Sequence, residues 1–277
     1  MREQQVRTPL PGRAGLMRST TACMVVVMSV LVSGHARTAG MALAADDARL
    51  IVAEAQKRTT SKSMRYHGRL TAFDAAGKTT EKRWIFERIG SSGQSRSVIR
   101  FTAPPEVNGV ALLIVNHPDR ASDQWMWTPA IERERRIALQ DRSTRFFGTD
   151  FSFEDLEERD ADQGDHTLLG EEPIDGMACW KIQSTPRESK SSQYTKSIIW
   201  IRKDIYAPVR LDAYVNGEVV RRRVSADLRQ VQGIWTARET TMTDLRRGTR
   251  TRLSLDEVAY DVPLRDEDFT VQALRRR

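Results

Sequence analysis

Cysteine is nearly absent. Of 277 residues only Cys23 and Cys179 carry a thiol, and the first lies in an N-terminal segment that reads as removable. The remainder therefore has no intramolecular disulfide and must rely on a hydrophobic core. Histidine is scarce too: outside that segment His67, His117 and His166 lie beyond helical reach of one another and of Cys179, so a zinc site has no local seed. Catalytic signatures are missing. No Gly-x-Ser-x-Gly occurs, Gly90-Ser91-Ser92-Gly93 has the wrong spacing, and there is neither a phosphate loop nor a Gly-x-Gly-x-x-Gly. Asp160-x-Asp162-x-Gly164 with Glu171 is a faint calcium-loop pattern. Its glycine falls one place early and Asp165 occupies the glycine position, so it reads as a solvated acidic loop. Glu154, Asp155, Glu157 and Glu158 read as a charged face without a substrate clue. Cys179, beside Trp180 in an apolar run, reads as a buried small hydrophobe. These absences point away from an enzyme, with no cofactor and no metal expected.

Long hydrophobic runs are lacking as well. Ala22–Val32 is too short for a membrane span of roughly 18 residues. It follows a basic stretch (Arg2, Arg7, Arg13, Arg18) and precedes small residues, with Ala42-Leu43-Ala44 matching the small-x-small cleavage rule. That order predicts a secretory signal peptide over 1–44, with Ala36 as the alternative cleavage point, and hence a periplasmic, soluble product. The segment also distorts the charge. The full chain carries 44 basic and 37 acidic residues, a net +7, but five arginines and one glutamate belong to 1–44. The 39 basic and 36 acidic residues left give +3, which removes the case for nucleic-acid binding.

Residues 45–277 are expected to form a single domain. Asp46 and Asp47 can cap a helix with Ala48, Ile51, Val52 and Ala55 at i, i+3, i+4 and i+7, ending near 58–63. From Met64 the period changes to two, and short apolar-alternating runs separated by turn residues continue to Tyr260, about eleven strands in all. Asn216-Gly217 marks a tight hairpin, and Gly233 and Gly248 suit similar turns. The break at 141–165 holds a candidate short helix capped by Thr149 or Asp150, with Phe153 and Leu156 on one face. Half of the Arg221-Arg222-Arg223 and Arg133-x-Arg135-Arg136 side chains should point outward as solubilising charge. Arg275-Arg276-Arg277 reads as a flexible tail.

The segment Phe147-Gly148-Thr149-Asp150-Phe151-Ser152-Phe153-Glu154-Asp155-Leu156 resembles the LolA-like outer membrane lipoprotein-sorting protein family. Asp123-Gln124-Trp125-Met126-Trp127-Thr128-Pro129-Ala130, Arg133-x-x-Arg136-Ile137 and Gly170–Ile182 support the likeness, which runs from about Ala48 to Phe269. Phe146-Phe147 stands where a Phe-Met or Phe-Leu pair is expected. The resemblance implies a mainly β (α+β) fold, a LolA/LolB-like curved antiparallel half-barrel with a few helices forming a lid over an apolar cavity. It implies a monomeric periplasmic carrier of lipoprotein acyl chains or free lipid, working toward the outer membrane with an RND-type membrane transporter. The alternative is an envelope sensor or adaptor of the same fold that binds a membrane-protein partner. For the lipid-binding lining, one alternating face is expected to supply Trp84, Phe86, Ile99, Phe101, Leu113, Val115, Trp125 and Trp127. Phe151, Phe153 and Leu156 are expected at a lid or rim. Plain core packing is the competing reading for each of them.

Overall fold

The computed structural model describes residues 47–91 and 93–276; the expected signal peptide over 1–44 lies outside them. Helix α1 (47–57) forms where its sequence predicts. Ala48, Val52 and Ala55 are buried on one side, and the hydroxyls of Thr59 and Thr60 both donate to the Gln56 carbonyl at its C-terminal end.

Thirteen antiparallel strands follow in one sheet. The first meander comprises β1 (Ser63–Phe73), β2 (Thr79–Ile89), β3 (Arg96–Ala103), β4 (Ala111–Val115), β5 (Asp123–Thr128) and β6 (Arg133–Arg136). The second comprises β7 (Gly164–Glu171), β8 (Cys179–Pro186), β9 (Lys196–Arg202), β10 (Pro208–Val215), β11 (Glu218–Val231), β12 (Ile234–Asp244) and β13 (Thr249–Tyr260). Each strand pairs with its sequence neighbour, and the meanders join where β1 pairs with β13, so β6 and β7 are the edges. The count exceeds the expected eleven. Cross-strand pairing keeps extended even stretches without apolar alternation of their own, such as β6, Arg-Glu-Arg-Arg, and the start of β2, Thr-Thr-Glu-Lys-Arg. The Asn216-Gly217 hairpin is as expected: φ is 51° and 85°, the two positive values that a type I′ turn requires.

One face of the sheet, here called inner, is covered by α1 and by the 137–163 segment that links the two edges. Trp84, Ile99, Phe101, Leu112 and Ile114 pack there against Phe146, Phe151 and Phe153. Around β8 and β9, Ile182 and Ile201 meet Ala48, Val52 and Ala55 of α1. The outer face of β3–β5 is covered by the C-terminal segment, where Phe269 and Leu274 bury against Val98, Ala111 and Leu113. The described part of this segment, to Arg276, is docked at Leu274, which is fully buried, and Arg275 makes two 2.8 Å bonds to Glu134. Its three arginines had suggested solvation, but the apolar Ala273 and Leu274 just before them decide the packing. Cys179 is buried as expected, and burial pushes its thiol pKa up. The lid differs from expectation, since α1 is the one α-helix among the described residues.

Candidate functional site

The 137–163 segment is irregular because its acids spend their hydrogen-bonding capacity on the sheet rather than on a helix. Thr149 and Asp150 do not cap the expected helix, and a 3₁₀ turn over Glu154–Leu156 stands in its place. Thr149 Oγ1 donates to the Phe146 carbonyl at 2.6 Å. The Asp150 carboxylate, fully buried, accepts from Thr251 Oγ1 at 2.7 Å, from Arg145 at 2.8 Å and from Thr249 Oγ1. Asp155 accepts from the Ser152 backbone N–H and hydroxyl at 2.7 Å, from Arg221 at 2.9 Å and from Tyr194 Oη at 2.9 Å. Glu154 meets Arg159, Ser192 and the Gln193 N–H; Glu157 meets Arg142 and Gln124; Glu158 meets Arg88 and Ser95. The acids expected on a charged surface are thus a paired, largely buried plug. An inward carboxylate persists only when a cation and further donors meet it. The available signal was Arg88, a charge in phase with Trp84 and Phe86 on its strand.

Between this plug, α1 and the sheet lie two adjoining cavities on the inner face that share Thr59, Glu157 and Pro208. The first, about 300 Å³, is walled by Val52 and Ala55 of α1, Ile199 and Ile201 of β9, Leu211 of β10 and Met242 of β12. Its polar lining includes Arg223, Tyr194 and His166, the acids Glu154, Asp155, Glu157 and Asp160, and the cations Arg159 and Lys196. The second, about 400 Å³, is lined by Tyr66, Phe86, Leu156, Trp235, Leu253 and Leu255 among others. Burial dominates the electrostatics. It holds the Tyr66 and Tyr194 phenols above their ordinary pKa range and lowers the pKa of His166, whose Nε2 lies 2.8 Å from the Ala161 carbonyl.

The expected lining residues separate into three groups. Phe86 and Leu156 border the second cavity. Trp84, Ile99, Phe101, Phe151 and Phe153 share the inner face but are packed core, so Phe151 and Phe153 stand inside rather than at a rim. Leu113, Val115, Trp125 and Trp127 lie on the outer face with Phe269 and Leu274, which corrects the expectation of a single shared face. Register explains this: Ile99 opposes Leu112, and Leu112 opposes Met126, so the inward residues of β4 and β5 are one place away from those expected. Leu112-Leu113-Ile114-Val115 is apolar at every position and Trp125-Met126-Trp127 nearly so, leaving period-two alternation without a readable phase. The walls that do border the first cavity, on α1 and β9–β12, had read as ordinary helix and strand positions.

A family model described as an uncharacterized protein matches residues 93–276. No curated protein matches the sequence. Three solved structures share the fold. An outer membrane lipoprotein-sorting protein domain from Vibrio parahaemolyticus aligns over 84% of this chain and 100% of its own, at 24% identity and TM-score 0.80. A DUF1329 family protein from Desulfovibrio piger aligns over 83% and 99%, at 26% identity and TM-score 0.80. A LolA superfamily protein from Nitrosomonas europaea aligns over 82% and 98%, at 18% identity and TM-score 0.65. The curved antiparallel sheet expected from the sequence is the architecture these proteins have in common.

Proposed function

The chain belongs to the family whose model spans residues 93–276 and is LolA-like in fold, and from that premise we propose that it is a periplasmic carrier of acyl chains. The observation that carries this reading is the pair of adjoining inner-face cavities, each of which exposes more apolar than polar surface, although charged side chains also line the first. Burying a methylene is worth about 0.8 kcal/mol, so even part of an acyl chain gains several kcal/mol by leaving water for such walls. Cavities of about 300 and 400 Å³ fall at the small end of ligand-binding pockets. They suit single-chain insertion and exchange better than permanent enclosure of a large lipid. The carrier acts by sequestration and release, with free lipid or lipoprotein acyl chains as cargo and an RND-type membrane protein as partner. No helix among the described residues is long and apolar enough to cross a membrane.

The test is lipid extraction and native mass spectrometry of the purified full chain, followed by displacement of the uncharged dye phenylnaphthylamine with single-chain amphiphiles. Bound lipid that exchanges with added amphiphile is the expected result. A chain that takes up neither dye nor amphiphile, yet retains an envelope membrane protein in pull-down, overturns the carrier in favour of the adaptor reading.

A further inference from the structure

Three consecutive arginines on β11 have three different fates. Arg221 points inward and is satisfied, donating to Asp155 at 2.9 Å and to the Asp150 carbonyl. Arg222 points outward and makes a two-pronged pair with Asp212 at 2.8 and 2.9 Å. Arg223 returns to the inner face, opposite Leu211 on β10 and Met242 on β12, and lines the first cavity together with both. Among the described residues no carboxylate or carbonyl accepts from it. Its side chain is half-buried and lines that cavity.

A guanidinium stays charged under all ordinary conditions, and an enclosed charge without a counter-charge is costly. Of the acids around the same cavity only Asp155 favours its charge, from a distance and without a hydrogen bond to it. Glu154 is held by Arg159, Asp155 by Arg221 and Tyr194, and Glu157 by Arg142. The Asp160 carboxylate accepts from the Asp162 N–H. Two further cations line the cavity: Arg159 is paired with Glu154, and Lys196 donates to Gln183 at 3.2 Å and lies 5.2 Å from the Tyr214 ring centroid. Within one cavity, then, a guanidinium that no carboxylate hydrogen-bonds shares the lining with the aliphatic side chains of Val52, Ala55, Ile199 and Ile201.

We infer that this cavity binds an anionic single-chain amphiphile, its carboxylate or phosphate head on Arg223 and its hydrocarbon against the α1–β9 wall. This rests on the carrier reading and deepens it by assigning the cargo a charge. Arginine suits the task because its fork matches either head group with two parallel hydrogen bonds.

Dye displacement from the full chain by palmitate, hexadecyl phosphate, hexadecanol and inorganic phosphate tests the inference. Palmitate and hexadecyl phosphate are expected to bind at least tenfold more tightly than hexadecanol, and inorganic phosphate not to compete at the same concentrations. Arg223→Met should abolish the anionic preference, bringing palmitate and hexadecyl phosphate down to the affinity that the same variant shows for hexadecanol. Arg223→Lys should keep part of the preference, and serves with the unsubstituted chain if the methionine variant fails to fold. Equal affinities in the unsubstituted chain, or an anionic preference that survives Arg223→Met, overturn the anion site and leave the carrier standing. Inorganic phosphate binding as tightly as hexadecyl phosphate overturns the amphiphile in favour of a bare anion site. Failure of every chain-bearing compound removes the carrier reading, and the anion site falls with it.

Discussion

An alanine at position 68 would place its Cβ 2.4 Å from the Ser254 carbonyl oxygen and 3.2 Å from the Trp84 indole nitrogen. The carbonyl belongs to the β1–β13 seam and cannot move aside without disturbing the pairing that joins the two meanders. Gly68→Ala should therefore destabilise by about 2 kcal/mol or more, read as a lower urea midpoint; an unchanged midpoint would show that the seam is soft. His166 gives a second residue-scale expectation. Its burial disfavours the imidazolium, so the folded-state pKa lies below the ordinary 6.5. The unfolded chain then binds more protons just below pH 6.5, and the stability that neutral His166 contributes is complete above that value and lost as pH falls through the folded pKa. Melting temperature should drop between pH 7 and pH 5, above the range where most carboxylates titrate. His166→Gln should flatten that slope, and an identical slope in the variant would remove His166 as its source.

At the scale of elements, legibility followed how much contrast a segment carries. The α1 stripe was readable because Ala48, Ile51, Val52 and Ala55 stand among charged neighbours, and the 216–217 hairpin because Asn-Gly is nearly specific for its turn. β4 and β5 were not readable in phase, because both of their faces are apolar and both are covered, one by the aromatic plug and the other by Phe269 and Leu274. The plug itself was legible as a family motif but not as a structure. Its meaning lies in partners about 40 to 100 residues distant, such as Tyr194, Arg221 and Thr251, which spacing within the motif cannot reveal. The two faces predict opposite phenotypes. Leu113→Ala, on the outer face, should cost roughly 2–5 kcal/mol of stability and leave amphiphile affinity unchanged. Ala55→Trp, at the wall of the first cavity, should weaken amphiphile binding at least tenfold while circular dichroism still reports the native sheet. Dye displacement and urea titration of both variants separate these outcomes, and a reversal of the pattern would place the cargo on the outer face.

Considered as a whole molecule, the two meanders share the β1–β13 seam, and the 137–163 segment ties their free edges, so the sheet is braced at its centre and across its opening. α1 is the less firmly held part. Eleven residues of helix are marginal in isolation, so docking keeps it in place. That docking rests on a short apolar stripe, an exposed Arg49–Asp162 pair of little energetic weight, and Gln56. The Gln56 amide clasps the plug from both sides, donating to the Arg159 carbonyl at 2.6 Å and accepting from the Ala161 N–H at 2.8 Å. It also borders the first cavity, so an acyl chain entering beside α1 must pass this clasp. Gln56→Ala loosens the cover without removing any apolar wall. Stopped-flow exchange of the bound dye should become several-fold faster in both uptake and release, with the equilibrium affinity changed less than either rate. Unchanged rates would mean that cargo enters through the second cavity, past Tyr66 and Leu253, with α1 a fixed wall rather than the moving one.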